Sequence, residues 1–457
     1  MCPPTLRAKT GREQVQQNSG LFDHLGGDRE DIGSQIKPTC HRSLSCRVIM
    51  SLRKNLMNAK TTIVWSGGSL HTWVDLGAIS WPAGLYTHER RGYLGGLAIQ
   101  VLWIHRMKYG VIADNFLEFF ALLSGKIPTP ALDLFLGIMK TRLIMTGVRL
   151  GVFDALMAGP ATAIDVGGQL CLNVEALDML LRALVIFDYL TFHRGRFRLT
   201  KLGRLVASSS SRNFVGYVML SFKQWEMMDY MEELVRTGRG IELHRNLDDA
   251  QDWRNYHKAM LEIARIEADL IAAKVSVPMG ARRLLDAGGS HGLYAAAICR
   301  KRPPMSAVVL ELPAGLEHAR ELARREGIDD LVEHRGGDII RDDLGSGYDT
   351  VLLSNILHHF QPDDILTILG KTNKALRNSG TVAIWEFEAP SRGGHPNIMD
   401  VAALFFRLTS TAALYDVRDY AGWLKTAGFR HVKVVRPRLA PGRALITGVV
   451  VSDLPQS

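Results

Sequence analysis

The stretch Arg283-Leu284-Leu285-Asp286-Ala287-Gly288-Gly289-Ser290-His291-Gly292-Leu293-Tyr294 sets an acid and three glycines at the end of a short apolar run. Gly288, Gly289 and Gly292 permit positive φ and close approach of backbone to a ligand. A helix opening behind them, with Ala295, Ala296 and Ala297 in it, aims free N–H groups at the same place. Glu311 closes the next apolar run, Val308-Val309-Leu310. An acid there normally binds ribose hydroxyls. Asp286 stands ahead of the glycines, where a carboxylate repels a pyrophosphate and suits a cationic amino-acid moiety. That balance favours S-adenosylmethionine over NAD.

Such residues need an alternating β/α frame, and the chain supplies one from Ala281 onward. Strands are expected at Leu284–Ala287, Ala307–Glu311, Leu331–Arg335, Thr350–Ser354, Thr381–Phe387, His431–Val435 and Ala444–Val451. Helices are expected between the first five, most clearly at Ala319 to Arg325 and Leu366 to Leu376. Pro437 to Arg443 is too short for a helical crossover, so the last two strands should pair antiparallel. The fold expected is α/β: a doubly wound, Rossmann-like sheet with a C-terminal antiparallel hairpin and ligands at the strand C-termini.

Upstream, Pro130 to Leu150 has Leu134, Phe135, Ile138, Ile144, Met145 and Val148 at helical spacing. A short helix follows at Gly151 to Leu156, another is capped by Thr162, and Asn173 caps Val174 to Phe187. Tyr189 to Thr200 alternates about Arg194-Gly195, a hairpin signal. Three helices and a two-stranded wing make a winged helix. Its candidate recognition helix carries Glu175 and Asp178, with Asp188 just beyond it and Arg182 as its one base. Phosphate contacts need Lys and Arg on that face, so an apolar dimerisation surface is expected and nucleic acid is not. Residues 213 to 278 read as helical. Phe222, Trp225, Met227, Met228, Tyr230 and Met231 gather in one helix, and Trp253, Tyr256, Met260 and Ile263 on one face of another. Both sets suit core packing or the roof of a pocket for a flat ligand. The divisions are residues 1–126, 127–212 (winged helix), 213–278 (linker and roof) and 279–453 (catalytic domain).

Composition bounds the rest. A chain of 457 residues with 47% hydrophobic and 22% charged residues has material for two or three globular cores. The net charge of +9 gathers mostly in the first 126 residues. That segment lacks period, and is expected to be a disordered extension, a stretch outside a working protein that begins near Met107, or a small domain. Cys2, Cys40, Cys46, Cys171 and Cys299 form neither a metal spacing nor a disulfide framework, which fits a reducing cytoplasm. Met1 to Gln35 lacks the apolar core of a secretory signal, and charged residues interrupt Tyr93 to Leu123 too often for a bilayer span.

Residues 130 to 452 resemble the small-molecule O-methyltransferases of the plant caffeate and bacterial hydroxyneurosporene type. These are class I S-adenosylmethionine enzymes with an N-terminal winged-helix dimerisation domain. The matching segments, in order, are Leu285-Asp286-Ala287-Gly288-Gly289, Glu311-Leu312-Pro313, Gly337-Asp338-Ile339, Ile356-Leu357-His358-His359-Phe360 and Ala427-Gly428-Phe429. The resemblance implies that Asp286, Gly288 and Gly289 hold the methionine end and that Glu311 binds the ribose hydroxyls. It implies that Asp338 meets the adenine amino group beside Ile339, with Leu312, Gly337 and Ser354 also at the cofactor. His358 falls on the catalytic base and Glu386 on an acid that brackets it. Around the acceptor, the candidates are Trp253, Tyr256, Met260, Met399, Phe405 and Tyr415. The chain departs from the family at Ser290 and His291, where Gly and Thr are common. It departs again at His359 and Phe360, where plant members have Asp and Trp, and it has no second bracketing acid near Leu414 and Tyr415, with Asp416 close by.

The chemistry is consistent with those roles. Methyl transfer is an in-line displacement whose leaving group departs neutral, so positioning dominates and can supply roughly 7–11 kcal/mol. A neutral hydroxyl is a poor nucleophile, and a base adds about 10²–10⁴-fold. Imidazole suits neutral pH, and a carboxylate can fix its tautomer. The expectation is a homodimeric, metal-free, cytoplasmic O-methyltransferase acting on a hydroxylated small molecule. The alternatives are a cofactor-binding relative doing hydroxylation or decarboxylation, and a winged-helix DNA-binding regulator.

Overall fold

The computed structural model describes residues 61–66, 69–74, 128–391 and 393–451, with 117, 120, 122 and 124 singly. The chain divides into two compact units, residues 1–85 with 110–128, and residues 86–109 with 129–457. In the first, β1 (Thr61–Ser66) and β2 (Ser69–Val74) pair antiparallel with Thr61 opposite Val74. The intervening Gly67-Gly68 is a sequence favoured in two-residue hairpin loops. The remaining expectations for residues 1–126 lie outside the described residues.

The second unit opens with the winged helix. Helices span Thr129–Arg149, Val152–Ala155, Ala163–Leu170 and Val174–Ile186, and β3 (Leu190–His193) pairs antiparallel with β4 (Arg196–Leu199). Thr162 and Asp165 form a capping box, and Asn173 accepts from the Ala176 N–H, so two starts are set by local side chains. Phe153, Leu181, Leu184, Leu190 and Phe197 fill the core between them. The opposite face stays apolar and open: Leu134, Phe135, Ile164, Met179 and Ile186 are 61–75% exposed. Arg182 bonds Asp178 at 2.5 Å and lies over the Phe192 ring. Cys299 is a buried free thiol.

The helical run breaks at Met227. Val215–Met227 gives way to a 3-10 turn, Met228–Tyr230, and then Met231–Thr237, so the Met and aromatic residues do not share one helix. Phe222 lies under the Arg149 guanidinium, 3.1 Å from its ring centre, and Arg142 lies over Trp225. Met227 instead joins Trp253 in a small separate core. The helix Ala250–Lys274, capped by Asp249, then lays Trp253, His257, Leu261, Ala264, Ala268 and Ile271 inward.

The main sheet has seven strands in the order β10-β11-β9-β8-β5-β6-β7. They are β5 (Arg283–Ala287), β6 (Ser306–Glu311), β7 (Val332–Gly336), β8 (Tyr348–Ser354), β9 (Leu376–Phe387), β10 (Phe429–Val435) and β11 (Arg443–Val450). All pairings are parallel except those of β11 with β9 and β10. One face is covered by Ala250–Lys274 and Leu293–Arg300, the other by Pro362–Ala375 and Val417–Thr426. Two expectations need correction. β9 begins at Leu376, not Thr381, because its start pairs with Tyr348 before a register shift. No helix joins β7 to β8; residues 337–347 run as turns, with Gly345 and Gly347 at positive φ. β5 lies between β6 and β8, the place where chain order reverses and ligands bind in such sheets.

Candidate active site

Asp286 and Glu311 end adjacent parallel strands. Gly288 follows β5 at φ 76° and Gly292 opens the Leu293–Arg300 helix at φ 74°. A Cβ at Gly289 would lie 2.3 Å from the Asp286 Cγ, so only glycine lets that carboxylate sit under the loop. Asp286 is fully buried, and neither carboxylate oxygen has a hydrogen-bond partner. Burial, then the neighbouring Glu311, pushes its pKa up to about 7. Glu311 is 8% exposed and accepts from the Leu312 and Ser290 backbone, yet burial also lifts it to about 7. Asp338 closes a turn, its Oδ1 accepting from the Ile340 N–H at 2.8 Å, with Ile339 buried beside it. Gly337 and Ser354 are buried at the ends of β7 and β8. Leu312 packs in the same cluster as Trp253, linking this edge to the Ala250–Lys274 helix.

Next to this edge, β8 ends and a 3-10 turn, Leu357–His359, follows. Glu386, fully buried on β9, holds that turn with all of its carboxylate. Its Oε1 accepts from the Ile356 and Leu357 N–H groups at 2.8 and 2.7 Å, and Oε2 meets His358 Nδ1 at 2.8 Å. A carboxylate can only accept, so Nδ1 carries the hydrogen and Nε2 is the ring nitrogen left to meet an acceptor. His358 is 2% exposed, its ring 4.6 Å from Phe406 and 4.2 Å from His359 between centroids. A buried imidazole held at Nδ1 by a carboxylate is the arrangement of a general base.

The acceptor candidates separate. Trp253 and Tyr256 stand by His244, whose Nε2 lies 2.9 Å from the Tyr256 hydroxyl. The Met260 backbone carbonyl holds the His291 ring. Met399 packs on the Gly442 turn. Phe405 touches Phe406, which is the residue that faces His358. The Tyr415 hydroxyl donates to the Phe360 carbonyl at 2.7 Å, and its ring packs on Tyr420 and Trp423. Asp416 caps the Val417–Thr426 helix and pairs with Arg418 at 2.8 Å, so it serves that helix and not His358.

Two family models match the chain in tandem: an O-methyltransferase dimerisation domain over residues 132–209 and an O-methyltransferase domain over 232–430. The chain belongs to the O-methyltransferase family. Among curated relatives, the enzyme is 27% identical to 3-hydroxy-5-methyl-1-naphthoate 3-O-methyltransferase of Streptomyces sahachiroi, over 70% of this chain and 95% of that one. It is 23% identical to demethylspheroidene O-methyltransferase of Cereibacter sphaeroides, over 80% of this chain and 98% of the other. Human N-acetylserotonin methyltransferase, solved in complex with S-adenosylmethionine, shares the fold at TM-score 0.64 and 18% identity, covering 71% of this chain and 99% of that one. Among the described residues of the enzyme, no helix is long and apolar enough to cross a membrane, and no group of three or more acidic, His or Cys residues could hold a metal.

Several contributors are not evident in the enzyme's sequence. Glu267 Oε2 accepts from the Tyr294 hydroxyl (3.2 Å), the Trp385 indole (2.9 Å) and Arg443 Nη2 (2.6 Å), three elements on one oxygen. His257 and Glu267 could have been found: Trp253, His257, Met260, Ala264, Glu267 and Ile271 recur every three or four residues, the buried stripe of a helix. His244 and Phe406 carry no comparable local signal.

Proposed function

We propose that the enzyme transfers the methyl group of S-adenosylmethionine to a hydroxyl of a small secondary-metabolite-type acceptor, with His358 as general base and Glu386 as its orienting acid. The observation that carries this is the Glu386–His358 pair, in which every carboxylate contact serves to fix one imidazole. Nε2 accepts the hydroxyl proton while Glu386 stabilises the imidazolium that results. The aromatic rings of Phe406 and Phe387 shield the pair from water.

The cofactor fits the residues present. A buried carboxylate without a partner costs several kcal/mol unless a cation or a proton joins it, and Asp286 is one. The ammonium of the cofactor's amino-acid end answers that charge. Glu311 accepts the ribose hydroxyls, and Asp338 and Ile339 take the adenine. S-adenosylmethionine supplies a methyl group activated by its sulfonium. The open apolar face of the winged helix, with Leu134, Phe135 and Ile138 exposed, is covered by a second copy of the chain in a two-fold dimer. The expected domain limits at 127–212, 213–278 and 279–453 are kept with this reading.

The test is mass spectrometry of a small-molecule extract incubated with the enzyme and methyl-labelled cofactor. Label on an acceptor oxygen, lost with His358→Ala, supports the reading. Bound S-adenosylhomocysteine with no label transferred to any acceptor overturns it in favour of a non-methylating relative.

A further inference from the structure

Three histidines with no part in the mechanism above meet the glycine loop between β5 and the Leu293–Arg300 helix. His257 comes from the Ala250–Lys274 helix, His291 from the loop itself and His334 from β7. They are 0%, 2% and 7% exposed, in places that packing alone would give to apolar side chains. His334 Nε2 lies 2.9 Å from the Ser290 carbonyl oxygen, which can only accept, so that nitrogen carries the hydrogen. His257 Nδ1 lies 3.2 Å from the Ser290 hydroxyl. His291 Nδ1 accepts from the Leu293 N–H at 3.0 Å, and its ring is also held by the Met260 carbonyl. Burial lowers His257 and His291 to about 3, and His334 in the same direction, so all three rings are neutral at about pH 7.

His257 and His334 thus converge on one residue. Ser290 has a φ of 50°, the left-handed region, where a Cβ is unfavourable and glycine is the usual occupant. It is also a position at which the chain departs from the family's glycine. Such a backbone persists only where its surroundings over-determine it. Here one imidazole takes the side chain and another the carbonyl. The Ser290 N–H donates to Glu311, which also accepts from the Leu312 N–H at 2.7 Å. The His257 ring reaches the far side of that acid as well: a Cβ at Gly315, on the turn after Glu311, would lie 2.5 Å from its Nε2. The ring is therefore wedged between the glycine loop and the turn that follows Glu311.

We propose that His257 and His334 are positioning residues of the cofactor site, which clamp Ser290 in its left-handed backbone and thereby hold Glu311 for the ribose hydroxyls. This rests on the reading of Glu311 as the acid that takes the ribose. Released from the clamp, Ser290 relaxes to a backbone that its Cβ favours, its N–H leaves Glu311, and the carboxylate loses one of its two backbone donors. The loss falls on the ribose and not on the whole ligand. The methionine end is assigned to Asp286, whose oxygens have no hydrogen-bond partner and take no part in the clamp.

The test compares S-adenosylhomocysteine with its 2′-deoxy analogue by calorimetric titration of the full chain. The wild type should prefer the hydroxylated ligand by about tenfold or more, the worth of a hydrogen bond to a charged group. His334→Ala should bring that ratio below about threefold, and His334→Gln, whose amide can offer a donor to the same carbonyl, should restore most of it. His257→Phe keeps a ring of similar size and loses the nitrogen, and should lower the ratio in the wild type but not in Ser290→Gly, whose loop carries no hydroxyl to hold. Each readout is a ratio between two ligands on one protein sample, so a loss of folded fraction cancels, and a merely structural role would weaken both ligands alike. The clamp is overturned if the wild type prefers the hydroxylated ligand and both His334→Ala and His257→Phe keep its ratio. A wild-type ratio close to one overturns the clamp together with the assignment of Glu311, so the wild type alone tells the two failures apart.

Discussion

Two carboxylates near the ends of β5 and β9, the strands on either side of β8, are equally buried and oppositely provided for. Glu386 has three hydrogen-bond donors within 2.8 Å, all from the turn that carries His358. Asp286 has none. A satisfied buried acid is part of the machine as folded, and its contacts give a fixed geometry before any ligand arrives. An orphaned one is costly in the free protein and becomes favourable only with a cationic ligand. The enzyme thus keeps the Glu386–His358 pair assembled at all times and leaves Asp286 under electrostatic tension until a cation or a proton joins it.

Breaking the preassembled half should have the largest effect. His358→Ala should lower kcat by roughly 10²–10⁴-fold at neutral pH with the calorimetric affinity for S-adenosylhomocysteine unchanged. For a phenol acceptor the deficit should shrink toward pH of about 10, where solvent removes the proton. Wild-type turnover by this variant would dismiss the base. Glu386→Gln keeps the shape but no longer demands one tautomer of the imidazole, and should cost on the order of 10²-fold in kcat. A variant that melts normally and turns over normally would show that the pair is only structural.

The other half should respond through binding and stability. Glu311→Ala should weaken S-adenosylhomocysteine by at least about 1 kcal/mol, read by calorimetry. Asp286→Asn should weaken the same ligand yet raise the melting temperature of the free enzyme by a few degrees above neutral pH. The sign follows from linkage. The folded pKa of Asp286, about 7, lies above its unfolded value of about 4. Its favourable contribution is whole below the unfolded value and is lost as pH rises through the folded one. The gain from Asn should therefore be full at about pH 8, much smaller at about pH 5 and absent below about pH 4. Equal melting shifts at about pH 8 and about pH 5 would refute the strained carboxylate. The smallest effect is on wild type: affinity for S-adenosylhomocysteine should rise modestly between about pH 6 and pH 8, as both acids shed protons to meet the ligand.

The strands, the winged helix and the residues of both halves were legible because each is a local pattern. Short apolar runs mark β5, between Gly280 and Gly288, and β6, between Pro304 and Pro313, and Asn173 and Thr162 announce their helices. The state of the two acids was not legible, since solvation depends on neighbours distant in sequence. Nor was the choice of Phe406 over Phe405 at His358: one position along a helix turns a side chain by about 100°, and only packing sets the phase. The connection of β7 to β8 differs from the other parallel connections, which are helical. Residues 337–347 instead carry turn-forming glycines and Asp338. The hairpin at residues 61–74 had its Gly67-Gly68 signal in plain view, within a stretch whose wider composition hid it.

The single oxygen of Glu267 has a consequence for anyone wishing to redesign the acceptor range. It ties the helix carrying Trp253 and Tyr256 to Tyr294 behind the glycine loop, to Trp385 next to Glu386, and to Arg443 on β11. A roof helix borrowed from a relative would arrive without its moorings unless those three partners matched its own. The unit of exchange in such a chimera is therefore the helix together with Tyr294, Trp385 and Arg443, and a graft that respects only the pocket-facing residues would leave three buried donors and a displaced base.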